Sequence, residues 1–220
     1  MHDLHALIKY QHDNVSTKPE FLLSRRDAEK EARNMLDDRA GEFTEDDFIL
    51  FFRYCNTERV PSQFDVVELN DQDTHRRFNP AFMGKNRKSL LSSIKELNLW
   101  TQRLWEGNDT ALESLSRFWS HSQVKGAGTS FPSMIMYLKR PEYFNVWLPS
   151  LTNGLSILTG NTIAKSRNVD NYLKYNSAVD FNLTKPFGLL PQEIDYLLFC
   201  IDRFSTTSLR FKQAGGSPQH

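Results

Sequence analysis

The chain has 220 residues and a mass of 25.6 kDa, room for one large domain or two small ones. With 39% hydrophobic, 25% charged and 12% aromatic residues and a mean hydropathy of −0.54, it is neither a disordered tail, nor a collagen-like repeat, nor a membrane-spanning bundle. The 27 basic residues cancel the 27 acidic ones, so net charge alone names no partner.

Taken in chain order, the opening stretch Met1 to Asp13 carries His2, Asp3, His5 and Lys9, so it has no signal-peptide core. Runs such as Met134 to Leu138 are too short to cross a bilayer, and a cytoplasmic protein without a membrane partner is expected. Ser24 to Leu36 reads as a helix through Ala28, Ala32 and Met35. Thr44 with Asp47 three residues on resembles a capping arrangement ahead of Phe48, Phe51, Phe52 and Cys55. Phe64 to Leu69 alternates only partly and makes one short strand at most. A helix is predicted from about Asn86 to Trp105, with Asn86 as its cap, Leu90, Leu91, Ile94, Leu97, Leu104 and Trp105 on one side, and Gly107 just past its end. Asp109 or Thr110 starts the next, facing Leu112, Leu115, Phe118 and Trp119 inward. Val169, Tyr172 and Leu173 mark another. The clearest stripe, Ile194, Leu197, Leu198, Ile201 and Phe204, follows Pro191, a residue suited to a helix start. The fold is therefore expected to be mainly α, a multi-helix globular domain with little or no β.

Three regions follow: an N-terminal helical subdomain over 1–60, a central helical region over 74–204, and a flexible tail or linker over 205–220. The interval near Val60 to Asp73, interrupted by Pro61 and Asn70, is a weak boundary. Cys55 and Cys200 lack any CxxC or histidine partner spacing and read as reduced thiols in apolar surroundings. His2 and His5 read as a solvated pair. No GxSxG elbow, P-loop or HExxH motif occurs; Gly84-Lys85 lacks the upstream glycine of a phosphate loop. The sequence thus gives no positive sign of catalysis, and no cofactor or metal is implied.

Charge distribution says more than the total. Between Asp37 and Asp47 six acids face only Arg39, whereas between His75 and Lys88 five bases (Arg76, Arg77, Lys85, Arg87, Lys88) face no acid. From His121 to Arg140 there are three bases, Lys125, Lys139 and Arg140, and again no acid. Lys139 and Arg140 precede Pro141 at a helix C-terminus, where the helix dipole alone favours cations. The acidic run is a solvated helix start or a docking surface for a basic partner.

The segment Val124-Lys125-Gly126-Ala127-Gly128-Thr129-Ser130 sets a Gly-x-Gly turn between two helices. Glycines there permit positive φ and a close approach, Thr129 and Ser130 can cap the second helix, and its amides with Lys125 would meet an anion. A DNA phosphate satisfies this arrangement without base contacts. An ordinary tight turn in a helix bundle satisfies it equally well. The pattern resembles the hairpin of helix-hairpin-helix proteins, in particular the DNA-glycosylase superfamily, with Val124, Gly126, Gly128 and Ser133 at the matching positions. That family places a catalytic aspartate roughly one and a half dozen residues past the turn. Here Asn145 is the nearest substitute, so the resemblance implies a backbone grip without base-excision chemistry. More widely, residues 77–160, with Arg77 to Gly84, Leu99 to Trp105 and Ser130 to Trp147, look like the DNA-recognition regions ahead of AAA+ motors in McrB-like restriction systems. This resemblance implies a specificity module for double-stranded DNA, modified or not, working with an AAA+ motor and a nuclease in a defence complex. Tyr143, Phe144, Asn145 and Trp147 are then candidates for a base pocket, against the alternative that they fill the core. The competing expectation is a protein-interaction or regulatory subunit, supported by the zero net charge.

Overall fold

Side chains cap three of the helix starts, at Thr44, Thr110 and Asn168. The computed structural model describes residues 19–56, 82–107 and 110–213, with backbone alone at 19–22, 24 and 203–213. Among them nine helices reach eight residues or more: α1 Pro19–Arg39, α2 Glu45–Cys55, α3 Gly84–Leu91, α4 Ile94–Glu106, α5 Ala111–His121, α6 Ser130–Lys139, α7 Pro149–Thr159, α8 Val169–Val179 and α9 Pro191–Gln213. The described residues contain no strand, so the protein is mainly α. None of these helices is long and apolar enough to cross a membrane. His2, His5, the Phe64–Leu69 stretch, Arg76, Arg77 and the 214–220 tail lie outside the described residues, and Phe204 lies beyond the described side chains.

At α2, Thr44 Oγ1 accepts the Asp47 amide at 3.2 Å while Asp47 Oδ2 accepts the Thr44 amide at 2.9 Å. Thr110 and Glu113 repeat the exchange at α5, at 3.3 and 2.9 Å. Each pair satisfies two otherwise orphaned donors. The amide and hydroxyl of Thr44 hold the Asp47 carboxyl below its ordinary range, and Thr110 does the same for Glu113. Two other starts differ from expectation. Helix α3 begins at Gly84 behind Met83, so Asn86 lies inside the helix rather than capping it. The single helix expected from Asn86 to Trp105 breaks at Ser92 and Ser93, because Ser92 Oγ donates to the Ser89 carbonyl at 2.7 Å and Ser93 leaves helical φ/ψ. Helix α9 also continues through 205–213, part of the stretch expected as tail.

The core is organised around α6, in which every residue from Ser130 to Leu138 is buried. Helices α1, α4 and α5 pack on it. A chain of aromatic contacts runs from Phe43 through Phe48, Phe52 and Phe82 to Phe131 and Phe118; Phe52 and Phe82 stack at 4.6 Å. Such ring pairs add about 0.5–1.5 kcal/mol each beyond their buried area. They also join α2 to the centre, and Ala32 and Leu36 of α1 belong to the same cluster, so helices on either side of the 60–73 interval share one core. The most extensive helix pairing is α7 against α9, made possible by Gly154, where a Cβ would lie 2.0 Å from the Leu198 carbonyl oxygen. Cys55 is fully buried and Cys200 half-buried, and neither forms a disulfide.

The N-terminal half of α1 docks through charge instead of apolar surface. Buried Arg25 donates to the Gln192 carbonyl at 2.9 Å and to Asp195 Oδ2 at 3.0 Å, both on α9. Buried Glu29 accepts from the Tyr137 hydroxyl of α6 at 2.8 Å and from Gln192 Nε2 at 2.9 Å. Such a network adds little net stability over a well-packed apolar one, but removing one member strands a buried charge. Arg25→Ala is therefore expected to cost about 3–5 kcal/mol in urea unfolding; a cost under about 1 kcal/mol, as exposed pairs show, would mean that α1 is not seated this way.

The cap contribution depends on pH. Because the Asp47 carboxyl is depressed in the folded state, its contribution is full above the unfolded value of about 4 and disappears as pH falls through the depressed range. Thr44→Ala should lower stability by about 1 kcal/mol at neutral pH. The gap to wild type should narrow on acidification; a gap independent of pH would contradict the assigned cause.

Candidate nucleic-acid interface

Helix α5 ends at His121, and residues 122–129 turn the chain into α6. Val124 and Ala127 point into the core, which leaves Lys125 and Gly126 at the surface between them. Gly126 has φ +82° and Gly128 φ +56°, values that L side chains rarely adopt. Space adds a second reason at Gly126, since a Cβ there would meet the Asn86 carbonyl oxygen at 3.1 Å and Ser89 Cβ at 3.2 Å. The hairpin thus rests directly on α3. Among the described residues, no group accepts a hydrogen bond from the amides of Gly126, Gly128 or Thr129.

Helix α3 carries the basic run. Phe82 fixes its approach by inserting between Phe52 and Phe131, and its first turn has no acid. Lys85 and Lys88 are exposed and Arg87 half-buried. Among the described residues, none of Lys85, Arg87, Lys88 and Lys125 forms an ion pair. Two features separated by some forty residues in sequence, the glycine hairpin and the basic segment, are therefore neighbours in space. Asn86 and Ser89, which form the platform under Gly126, are the site residues that sequence reasoning missed. Backbone contact by a glycine leaves no sequence trace on its partner.

The other predicted residues divide. Lys139 and Arg140 lie at the far end of α6, about 15 Å along its axis from the hairpin. Lys139 Nζ donates to the Leu104 carbonyl at 3.3 Å, one of the last carbonyls of α4, while Arg140 is exposed. Burial and the neighbouring Arg140 hold the Lys139 ammonium below its ordinary range. The hydroxyls of Thr129 and Ser130 do not cap α6 as expected. Thr129 Oγ1 donates to the Trp147 carbonyl at 2.8 Å, and Ser130 is buried. Ser133 Oγ accepts the Trp147 amide at 2.9 Å, so this hydroxyl too faces inward.

The candidate base pocket is packed. Trp147 is only 1% exposed; its ring stacks with Tyr172 at 5.5 Å and Tyr175 at 6.2 Å and meets the edge of Trp119 at 5.6 Å. Phe144 is buried against Tyr172. Tyr172 and Tyr175 donate to the carbonyls of Asn145 and Val146, at 2.7 and 3.1 Å, and burial pushes both phenols far above their ordinary range. The Asn145 amide group donates to Asn176 Oδ1 at 3.1 Å, so Asn145 is a structural link. Tyr143, 66% exposed, is the one member of the four that offers a free ring. Leu173, one of the residues that marked this helix, is exposed, and Tyr172, Tyr175 and Asn176 take the inner face of α8. No group of three or more histidine, cysteine, aspartate or glutamate side chains among the described residues could hold a metal ion.

Comparison of the chain with protein-family models, characterised proteins and solved structures returned no match.

The packed pocket makes a direct prediction. Trp147→Ala should cost about 3–5 kcal/mol of stability, as large-to-small core changes do. A cost near zero in chemical denaturation would return Trp147 to the list of surface candidates.

Proposed function

We propose that this chain is a helical DNA-binding module that holds the phosphate backbone of a duplex between the Lys125–Thr129 hairpin and helix α3. The observation that carries this reading is the seating of Gly126 on Asn86 and Ser89. That contact seats the hairpin, whose Gly126, Gly128 and Thr129 amides have no acceptor among the described residues, on the helix that carries Lys85 and Lys88; neither these lysines nor Lys125 has a carboxylate partner among the described residues. Backbone amides at positive-φ glycines and unpaired cations are the donors that phosphate oxygens take. Such contacts set register and affinity without reading sequence. The resemblance of residues 77–160 to recognition regions of McrB-like restriction systems extends the proposal to a specificity module whose partners are an AAA+ motor and a nuclease.

One observation favours a second reading, a protein-interaction module. Phe181, on the π-helical turn Asp180–Thr184, is 75% exposed, and Leu190 is exposed as well.

The test is fluorescence anisotropy of short duplexes over a salt series, with wild type and Lys125→Glu. Wild type should lose affinity steeply with salt, in proportion to the phosphates neutralised. Lys125→Glu should weaken every duplex alike by about tenfold, the 1–2 kcal/mol of a reversed phosphate contact. Gly126→Val, which crowds the contact with α3 and strains a φ of +82°, should weaken binding too. No binding at low salt would overturn the proposal, and a partner found through Phe181 would replace it.

A further inference from the structure

Helix α8 and the loop ahead of it carry cations that no motif singled out. Residues 161–174 hold Lys165, Arg167 and Lys174 against the single acid Asp170, and all three bases are exposed. The loop is fixed by its own polar groups. Ile163 donates its amide to Ser156 Oγ at 3.0 Å, anchoring the start of the loop to α7. The Asn171 side-chain amide donates to the Ser166 carbonyl at 3.0 Å and to Ser166 Oγ at 2.6 Å, and Asn168 Oδ1 accepts the Asn171 amide at 2.8 Å. Lys165 Nζ bonds Asn153 Oδ1, a neutral oxygen, so its charge stays uncompensated. Arg167 and Lys174 have no partner among the described residues. The loop's asparagine and serine side chains are thus engaged internally, and Arg167 and Lys174 are left exposed beside a turn that these bonds hold.

Packing joins the start of α8, into which this loop leads, to the end of α5. Tyr172, in the first turns of α8, meets Trp119 at 5.9 Å, two residues before α5 runs out into the hairpin. The same ring stacks on Trp147, whose carbonyl holds the Thr129 hydroxyl. One aromatic cluster therefore carries both the hairpin and the start of α8. The acid-rich α1–α2 corner belongs to other helices.

We infer that the Asn161–Asn168 loop is a second backbone contact for the same duplex, with Arg167 as its principal phosphate ligand and Lys165 and Lys174 beside it. This inference rests on the reading of the hairpin as a phosphate grip, and the experiment separates the two. Duplex anisotropy is measured over a salt series for wild type, Lys125→Glu, Arg167→Glu and Arg167→Lys, each checked for wild-type helicity. Arg167→Glu should weaken binding about three- to tenfold and reduce the log–log salt slope by about one, while Arg167→Lys keeps most of the affinity. Unchanged affinity and slope in Arg167→Glu, with Lys125→Glu impaired, overturns the loop and leaves the hairpin standing. A wild type that does not bind overturns both.

Discussion

Helix α6 is buried from Ser130 to Leu138, and that burial dictates how the surrounding chain must be arranged. A buried helix still has backbone groups at its ends that need partners. At its start the Trp147–Leu148 segment crosses over it, with Ser133 and Thr129 tying Trp147 down by both amide and carbonyl. At its far end Arg33 donates to the Leu138 carbonyl at 2.8 Å, and Tyr137 reaches the buried Glu29. With both ends fixed, the approach from α5 has few routes, and the glycine turn follows from them. Gly126 passes α3 so closely that a Cβ would lie 3.1 Å from the Asn86 carbonyl oxygen, and at this contact the hairpin and the basic helix meet.

The neutral total charge has a structural explanation. Many of the acids serve the fold: Asp47 and Glu113 close capping boxes, Glu29 and Asp195 hold α1 against α6 and α9, and Asp37 accepts from the Trp105 indole at 3.1 Å. The bases on α3 and the hairpin, and Arg167 of the 161–168 loop, serve no such internal role among the described residues, and Lys165 bonds only the neutral Asn153 side chain. A chain with equal numbers of each sign can therefore present unpaired cations on one part of its surface. At physiological ionic strength charges beyond about 8 Å are screened, so the local surplus, not the sum, is what an approaching phosphate meets.

The sequence was informative wherever local chemistry decides the outcome. Thr44 with Asp47, Thr110 as a helix start, and the Ile194 to Ile201 stripe are local patterns, and each became the expected element. It failed where a hydroxyl or a ring chooses between partners that only tertiary structure supplies. Thr129 could cap α6 or bond across to Trp147, and the crossing segment decided it. Ser92 lies in an otherwise continuous helical pattern, and its bond back to Ser89 ended the helix there. Trp147 offered the same apolar area to a core or to a base; the three rings around it, Trp119, Tyr172 and Tyr175, show that the core has it. For the candidate interface, Lys125, Gly126, Lys85 and Lys88 were legible singly. Their juxtaposition was not, because it depends on a backbone contact between α3 and a glycine.

The claim that the hairpin amides receive phosphate is tested most directly by following backbone amide resonances of the labelled protein as a short duplex is added. The account predicts that the signals of Gly126, Gly128 and Thr129 shift first and together, with those of α3 alongside, and that raising the salt concentration returns them to their free positions. Shifts confined to the neighbourhood of Phe181 or to the Asp37–Asp47 corner, with the three hairpin amides unmoved, would contradict it.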